Sequence, residues 1–243
     1  MFLTISRHIL LILGFLIAFA AGNAEKIIFT APAPIPIPQQ KPSLSDLRLP
    51  VLTPDAFAIR TNLSRVFPPE KRDYASGAAT WLLLDNLNAG QRYELRVCWA
   101  AIQPTGFILE FHELDRAWDT PELMQSLAEY AYSRQPDAGD EDTEQVGRSP
   151  RDGGARNASV LLIQVKASAD YFTDNAVLMK DPPPVLVDLI LDPYLFNLVP
   201  RSLVPTIMFL LVVGLVAWFV ARSIASKLQA IAVTTESLDK KKN

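Results

Sequence analysis

Apolar residues are most concentrated in residues 203–221, a run that no charged side chain interrupts. At a helical rise of about 1.5 Å per residue, the run reaches roughly 28 Å, close to the hydrocarbon thickness of a bilayer. The core helix of a soluble protein would show a polar stripe, and this run has none. The pattern therefore predicts one transmembrane helix, in which Gly214 offers a notch where another helix packs.

A second and shorter apolar run lies near the N-terminus. Residues 9–21 are apolar, Arg7 precedes them, and small residues including Ala24 follow. This order is typical of a secretory signal peptide, which we place at residues 1–24. A signal anchor that stays in the membrane is the alternative, although the apolar stretch is short for a span.

The two flanks of the predicted span differ in charge. Lys and Arg outnumber Asp and Glu in residues 222–243, but not in residues 185–202. Because an excess of Lys and Arg marks the cytosolic side, we expect a cytosolic tail and a luminal domain at residues 25–200. Lys240 and Lys241 stand fourth and third from the C-terminus, as in the dilysine retrieval signals that a receptor reads; a merely solubilising basic end is the alternative.

Between the two apolar runs, polar and apolar positions mostly alternate with the period of a strand. Residues 92–101 place charged side chains on one face and large apolar side chains on the other. Flanking apolar runs at 80–85 and 107–111, separated by short turns with Gly or Pro, predict a three-stranded meander. Further strands are predicted at 25–30, 55–64, 159–166 and 185–191. The expected class is mainly β, with a β-sandwich-like luminal domain.

The period changes to that of a helix only in a short stretch of this domain. Residues 120–134 repeat apolar side chains at helical spacing: Leu123, Leu127 and Tyr130. Residues 135–156 are rich in Asp, Glu and Gly and contain almost no large apolar residue, so we expect a mobile acidic loop there. Prolines in residues 31–42 favour an extended path.

Composition narrows the classes of function. The net charge is −3, and no basic stripe interleaved with aromatic residues occurs, so we expect no nucleic-acid partner. Cys98 is the single cysteine, which leaves the domain without an internal disulfide. In a strand-like run between Val97 and Trp99, Cys98 is best interpreted as a small buried residue.

His112, between Glu110 and Glu113, is where the sequence comes nearest to suggesting acid–base or metal chemistry. In a strand, Glu110 and His112 share a face while Glu113 points away. The only other histidine is His8, and no thiolate pair exists to complete a zinc site. We interpret the stretch as a solvated strand end; a glycosidase using the two glutamates is an alternative. No phosphate loop or nucleophile elbow occurs, so no catalytic, cofactor-binding or metal-binding residue is expected.

Two N-glycosylation sequons begin at Asn62 and Asn157. Asn157 ends the predicted acidic loop and is the better acceptor for a glycan. Asn62 falls inside a predicted strand, where burial would hide it. Both positions are retained as candidate glycosylation sites.

Four stretches resemble a known family: WLLLDNL (81–87), GQRYELRVCWAAIQPTGF (90–107), SLAEY (126–130) and PPVLVDLILDP (183–193). They are similar to the fungal non-catalytic subunit of GPI mannosyltransferase II, and the resemblance extends to the signal, span and lysine tail. It implies a single-pass type I protein of the endoplasmic reticulum membrane. It also implies a multi-span catalytic partner, which adds the second mannose to the GPI precursor from dolichol-phosphate mannose.

The expected function is therefore that of an accessory, non-catalytic subunit without a cofactor. Its span would lie among membrane lipid and pack on the helices of the enzyme. A luminal cargo receptor or lectin-like adaptor is the alternative. The two hypotheses differ in their partners, because a receptor would bind several glycoproteins transiently instead of one membrane enzyme.

Overall fold

The computed structural model describes residues 23–37, 43–70, 73–134 and 156–239. Most of the predicted signal peptide, the loop at 135–155, and Lys240 and Lys241 lie outside the described residues. Those three predictions therefore stay predictions. The chain divides into two compact units, Met1–Pro193 and Tyr194–Asn243.

Strands dominate the first unit, and the long helix dominates the second. The described strands are β1 Ala24–Thr30, β2 Ile35–Ile37, β3 Val51–Leu52, β4 Ala58–Leu63, β5 Ala78–Leu87, β6 Arg92–Trp99, β7 Thr105–His112, β8 Arg156–Ala169, β9 Val185–Leu195 and β10 Val199–Pro200. The described α-helices are α1 Leu114–Asp119, α2 Pro121–Ser133, α3 Ala176–Lys180 and α4 Val204–Asp239.

The first unit is built from two sheets. The first sheet has the antiparallel order β1-β6-β9-β4. In the second sheet, β8 is central: β5 pairs along one side, with β3 parallel beyond it, while β2 and β7 pair with β8. Beyond the first unit, β10 pairs with the end of β9 at Leu195 and Tyr194.

The main core lies between the two sheets. Alternate residues of β6 and β9 point inward from the first sheet, and those of β5 and β8 from the second. The largest of them are Tyr93, Leu95, Leu189, Leu82, Leu84, Leu161 and Ile163. Burial of the inner face alone explains the alternating pattern of β6 and β9, whereas β5 and β8 are buried on both faces. The predicted mainly-β, sandwich-like class is confirmed.

A second core covers the outer face of the second sheet. Leu127 of α2 and Ala117 of α1 are buried together with Trp81, Leu83 and Leu162 of the sheet. The helix predicted at 120–134 is therefore confirmed as α2, with Leu123 and Tyr130 packed against the same cluster. Helix α1 was not predicted, because its six residues are too few to show a helical period.

The meander predicted across residues 80–111 is wrong. Strand β5 lies in the second sheet, β6 crosses to the first, and β7 returns to pair with β8. The physical reason lies in burial: β8 is buried on both faces and takes β5 and β7 as neighbours. By contrast, β6 carries a charged face, which suits a sheet that leaves one face polar. Arg156, expected at the end of the acidic loop, already belongs to β8.

Helix α4, together with the 3₁₀ turn Arg201–Leu203 that leads into it, contains the predicted span. Residues Arg201–Gln229 form one helix that is long and apolar enough to cross a membrane, and none of its apolar window is buried inside the structure. A soluble core helix of this composition would be mostly buried. The predicted span at 203–221 falls within it, and the helix continues to Asp239.

Candidate functional site

Gly214 lies on α4 with open space around it. A Cβ atom built at this position meets no neighbouring atom within 4 Å. A larger side chain therefore fits the helix itself without strain. Any effect of enlarging Gly214 would have to come from a partner helix that packs against it.

Both sequon asparagines are exposed. Asn62 lies in β4, an edge strand of the first sheet, and Asn157 lies in β8 opposite Pro36. The expected burial of Asn62 is wrong: it alternates with buried Leu63 and therefore points to the outer face. Glycosylation at either position stays a prediction.

The outer face of the first sheet carries a network of ion pairs. Glu94 Oε2 lies 3.1 Å from Lys26 Nζ, and Glu94 Oε1 lies 3.3 Å from Arg96 Nε. Arg96 Nη2 also lies 3.5 Å from Asp192 Oδ2. Both carboxylates are buried despite lying on the outer face. Removing one partner would leave a buried charge uncompensated, so we interpret this network as structural.

Two further residues extend this face toward the edge strand. Arg60 Nε and Nη2 donate to the two carboxylate oxygens of Asp188 at 2.7 and 2.8 Å. This fork geometry suits an arginine and a carboxylate. The hydrogen bond from Arg60 lowers the pKa of Asp188 below its ordinary value. Cys98, predicted to be buried, is half-buried on the same face.

His112 is buried, so its interpretation as part of a solvated strand end is wrong. Only 7% of the residue is exposed, and its ring centroid lies 5.7 Å from that of Trp81. Helix α1 begins two residues later and packs on the same face of the sheet. Within the described residues, neither ring nitrogen has a hydrogen-bond partner. Burial lowers the pKa of His112; Glu110 raises it, and Arg116 and Lys166 lower it further.

The carboxylates beside His112 lie in different settings. Glu110 Oε2 accepts a hydrogen bond from Lys166 Nζ at 3.2 Å, whereas Glu113 is exposed at the N-cap of α1. A glycosidase needs two carboxylates that face one bond. Glu110 is instead paired with a lysine and Glu113 is exposed, so neither setting supports the glycosidase alternative. Among the described residues, no group of three or more His, Cys, Asp or Glu side chains could hold a metal ion.

The lowered pKa of His112 makes stability depend on pH. In the unfolded chain the imidazole binds a proton below about pH 6.5, whereas the folded chain resists that proton. Stability is therefore fully present above about pH 6.5 and falls below it, by up to about 1.4 kcal/mol per pH unit, until the lowered pKa is reached.

We expect His112→Phe to flatten this dependence between pH 7.5 and 5.5. Urea unfolding of the full chain in mild detergent, repeated at each pH, measures the free energy of unfolding. Asp170→Asn is a control that alters a carboxyl elsewhere in the same unit. Parallel pH profiles for the wild type and His112→Phe would contradict the account.

Arg65 is the candidate that sequence analysis missed. Its exposure is 6%. Its Nε donates to the carbonyl of Pro183 at 2.7 Å, and its Nη1 donates to the carbonyl of Pro104 at 3.1 Å and to Thr105 Oγ1 at 2.8 Å. The guanidinium carbon lies 5.2 Å from the ring centroid of Tyr171. Burial lowers the pKa of Arg65.

The alternation of inward and outward positions along the chain indicates that Arg65 is unusual. Leu63 is buried, and Arg65 is two residues further along an extended chain, so both point inward. A charged residue at an inward position marks an unusual site, because buried charges require compensating partners. The sequence does not reveal which loops supply those partners.

The fold and the helix define a class: a two-sheet β domain joined to one apolar helix, consistent with a single-pass membrane protein. In sequence, the chain is 34% identical over 61 residues to a GPI mannosyltransferase 2 subunit of Schizosaccharomyces pombe. The matched stretch covers 25% of this chain and 34% of that subunit. No family model and no solved structure matches the chain.

Proposed function

We propose that this chain is an accessory, non-catalytic subunit of a GPI mannosyltransferase II complex in the endoplasmic reticulum membrane. In this role it assists the addition of the second mannose to the GPI-anchor precursor. The observation that carries the proposal is the similarity to the Schizosaccharomyces pombe subunit. The apolar helix Arg201–Gln229 supports it, because a partner of a membrane enzyme needs a membrane segment.

The proposed partner is a multi-span catalytic subunit whose helices contact α4 at Gly214. Replacing Gly214 by Ile should reduce recovery of the mannosyltransferase with the chain, because a branched side chain prevents close helix approach. Val216→Ile on the same helix is the control, since it changes little volume. Equal recovery with both variants, together with normal GPI synthesis, would contradict a contact at Gly214.

The proposed topology has a cleaved signal peptide at 1–24, a luminal domain and a cytosolic tail after the span. Lys240 and Lys241 then act as a retrieval signal that a receptor reads. Luminal placement predicts that Asn62→Gln and Asn157→Gln each increase electrophoretic mobility by one glycan. Digestion with peptide N-glycosidase should abolish these differences. A wild-type chain whose mobility is unchanged by the glycosidase would contradict glycosylation at both positions.

A pull-down of the full-length chain in mild detergent tests the proposed function. We expect mass spectrometry to find one dominant multi-span mannosyltransferase in near-equal amount. A spread of secretory cargo without that enzyme would overturn the proposal and favour a cargo receptor or lectin-like adaptor.

A further inference from the structure

Arg65 differs from the paired cations of the described chain. Ion pairs among the described residues join carboxylates to Lys26, Arg60, Arg96, Arg156 and Lys166. Arg65 is more deeply buried than any of these cations, yet its described partners are carbonyls, a hydroxyl group and an aromatic ring. A buried cation is costly without an opposite charge, because neutral dipoles compensate its lost hydration only in part.

One edge of the guanidinium group is left available. Nε and Nη1 are used by the bonds to Pro183, Pro104 and Thr105, whereas Nη2 makes no hydrogen bond within the described residues. Nη2 is also absent from the polar atoms that are sealed from solvent without a partner. A carboxylate approaching from outside could therefore accept from this nitrogen, in a charge-assisted bond.

Three loops surround the guanidinium group of Arg65 at one end of the first unit: the loop after β4, the loop between β6 and β7, and the loop between β8 and β9. The carbonyl of Val66 accepts from Ala169 N at 2.9 Å, and the carbonyl of Pro104 accepts from Asp170 N at 3.1 Å. Gln103 Oε1 accepts from Leu186 N at 3.3 Å. The loops are therefore held by bonds to one another and to the ends of β8 and β9, and they present a defined surface around Arg65.

Apolar side chains are concentrated on these same loops. Ile102 is 89% exposed and Phe172 is 83% exposed. Among the described residues up to 193, twelve large apolar side chains are exposed, and five of them lie on these loops or on α3 between β8 and β9: Val66, Ile102, Phe172, Val177 and Leu178. Single exposed apolar residues need no explanation, but a concentration of them marks an interaction surface.

We propose that this loop end, defined by Arg65, Ile102 and Phe172, is the surface on which the domain binds a protein segment outside the membrane. The segment presents a carboxylate to Arg65 Nη2, and apolar side chains on either side of that carboxylate cover Ile102 and Phe172. This inference rests on the proposed function, and it assigns the segment to the mannosyltransferase partner.

Charge favours a protein segment over a lipid surface. The loop between β8 and β9 carries Asp170, Asp174 and Asp181 against Lys180. An anionic membrane surface would be repelled by this excess of acidic residues. Arg65, the cation that would attract an anion at this surface, is buried. A single inserted carboxylate can reach it, whereas a sheet of headgroups cannot.

Photocrosslinking in native membranes tests the surface with the full chain. Ile102 and Phe172 are replaced one at a time by p-benzoylphenylalanine, and Phe57, which is 52% exposed between β3 and β4, receives the same replacement as a control. We expect positions 102 and 172 to crosslink to the mannosyltransferase within a peptide that contains Asp or Glu. Position 57 should not give that crosslink.

A series of substitutions tests the same surface without crosslinking. Ile102→Asp combined with Phe172→Asp should lower co-purification of the enzyme about tenfold, the scale on which anchor side chains act. Phe57→Asp should leave co-purification unchanged. Thermal unfolding of each variant separates loss of binding from loss of folding, because both loop side chains are exposed and should tolerate Asp.

The outcomes distinguish this inference from the proposed function. If the wild-type chain recovers no mannosyltransferase, both are overturned. The inference alone is overturned if the wild type recovers the enzyme while positions 102 and 172 crosslink to lipid, to a second copy of the chain or to nothing. Undiminished recovery with the doubly substituted, folded variant would likewise overturn it.

Discussion

Replacing Trp81 by Ala should lower the free energy of unfolding by about 3–5 kcal/mol, which is the cost of deleting a fully buried tryptophan. Trp81 is fully buried in β5, beneath the two helices that cover the second sheet. Its Nε1 donates to Ser126 Oγ on α2 at 3.1 Å, and its ring lies against His112. Its loss opens a cavity and removes a bond between the sheet and the helix.

Trp118 provides the matched control. It lies on α1 and is 41% exposed, so Trp118→Ala should cost less than about 1 kcal/mol. Urea unfolding of the full chain in mild detergent, followed by far-ultraviolet circular dichroism, gives both values. Equal losses of unfolding free energy for the two substitutions would contradict the claim that the second sheet and its covering helices unfold as one cooperative unit.

Placing Asp at both Leu211 and Val213 should release the chain from the membrane. Each carboxylate near the centre of a span costs about 3 kcal/mol of insertion free energy. Both positions lie inside Arg201–Gln229, the segment apolar enough to cross a bilayer. We expect the doubly substituted chain to move from the pellet to the supernatant on alkaline carbonate extraction.

Alanine at the same two positions is the control for the span. Leu211→Ala with Val213→Ala removes side-chain volume but adds no charge, so the chain should remain in the pellet. If the doubly aspartate-substituted chain also stayed in the pellet, α4 would not be the segment that holds the protein in the membrane.

Local periodicity predicted much of the fold correctly. Strand β6 and helix α2 follow directly from alternation and helical spacing in their own residues, and strands β1 and β8 were also predicted close to their observed positions. Alternation shows which face of a strand is buried, but not which strand lies beside it. The predicted meander failed for that reason: β8, far along the chain, lies between β5 and β7.

Burial at the ends of elements was harder to predict. His112 looks like the polar end of a strand, yet it is buried beside Trp81 on the face of the sheet that α1 covers. Arg65 is similar, because its partners Pro104 and Pro183 lie far away in sequence and meet only in the folded loops. Gly214 was selected from the composition of the span, and its role in helix packing stays a prediction.

Depletion of this chain in cells, followed by analysis of radiolabelled GPI precursors, tests the central claim most directly. We predict accumulation of a precursor that carries one mannose, reversed by restoring the full-length chain. Because an accessory subunit assists the enzyme without catalysing the transfer, excess catalytic partner should restore part of the normal product. Undiminished synthesis of precursors with two or more mannoses after depletion would contradict the account.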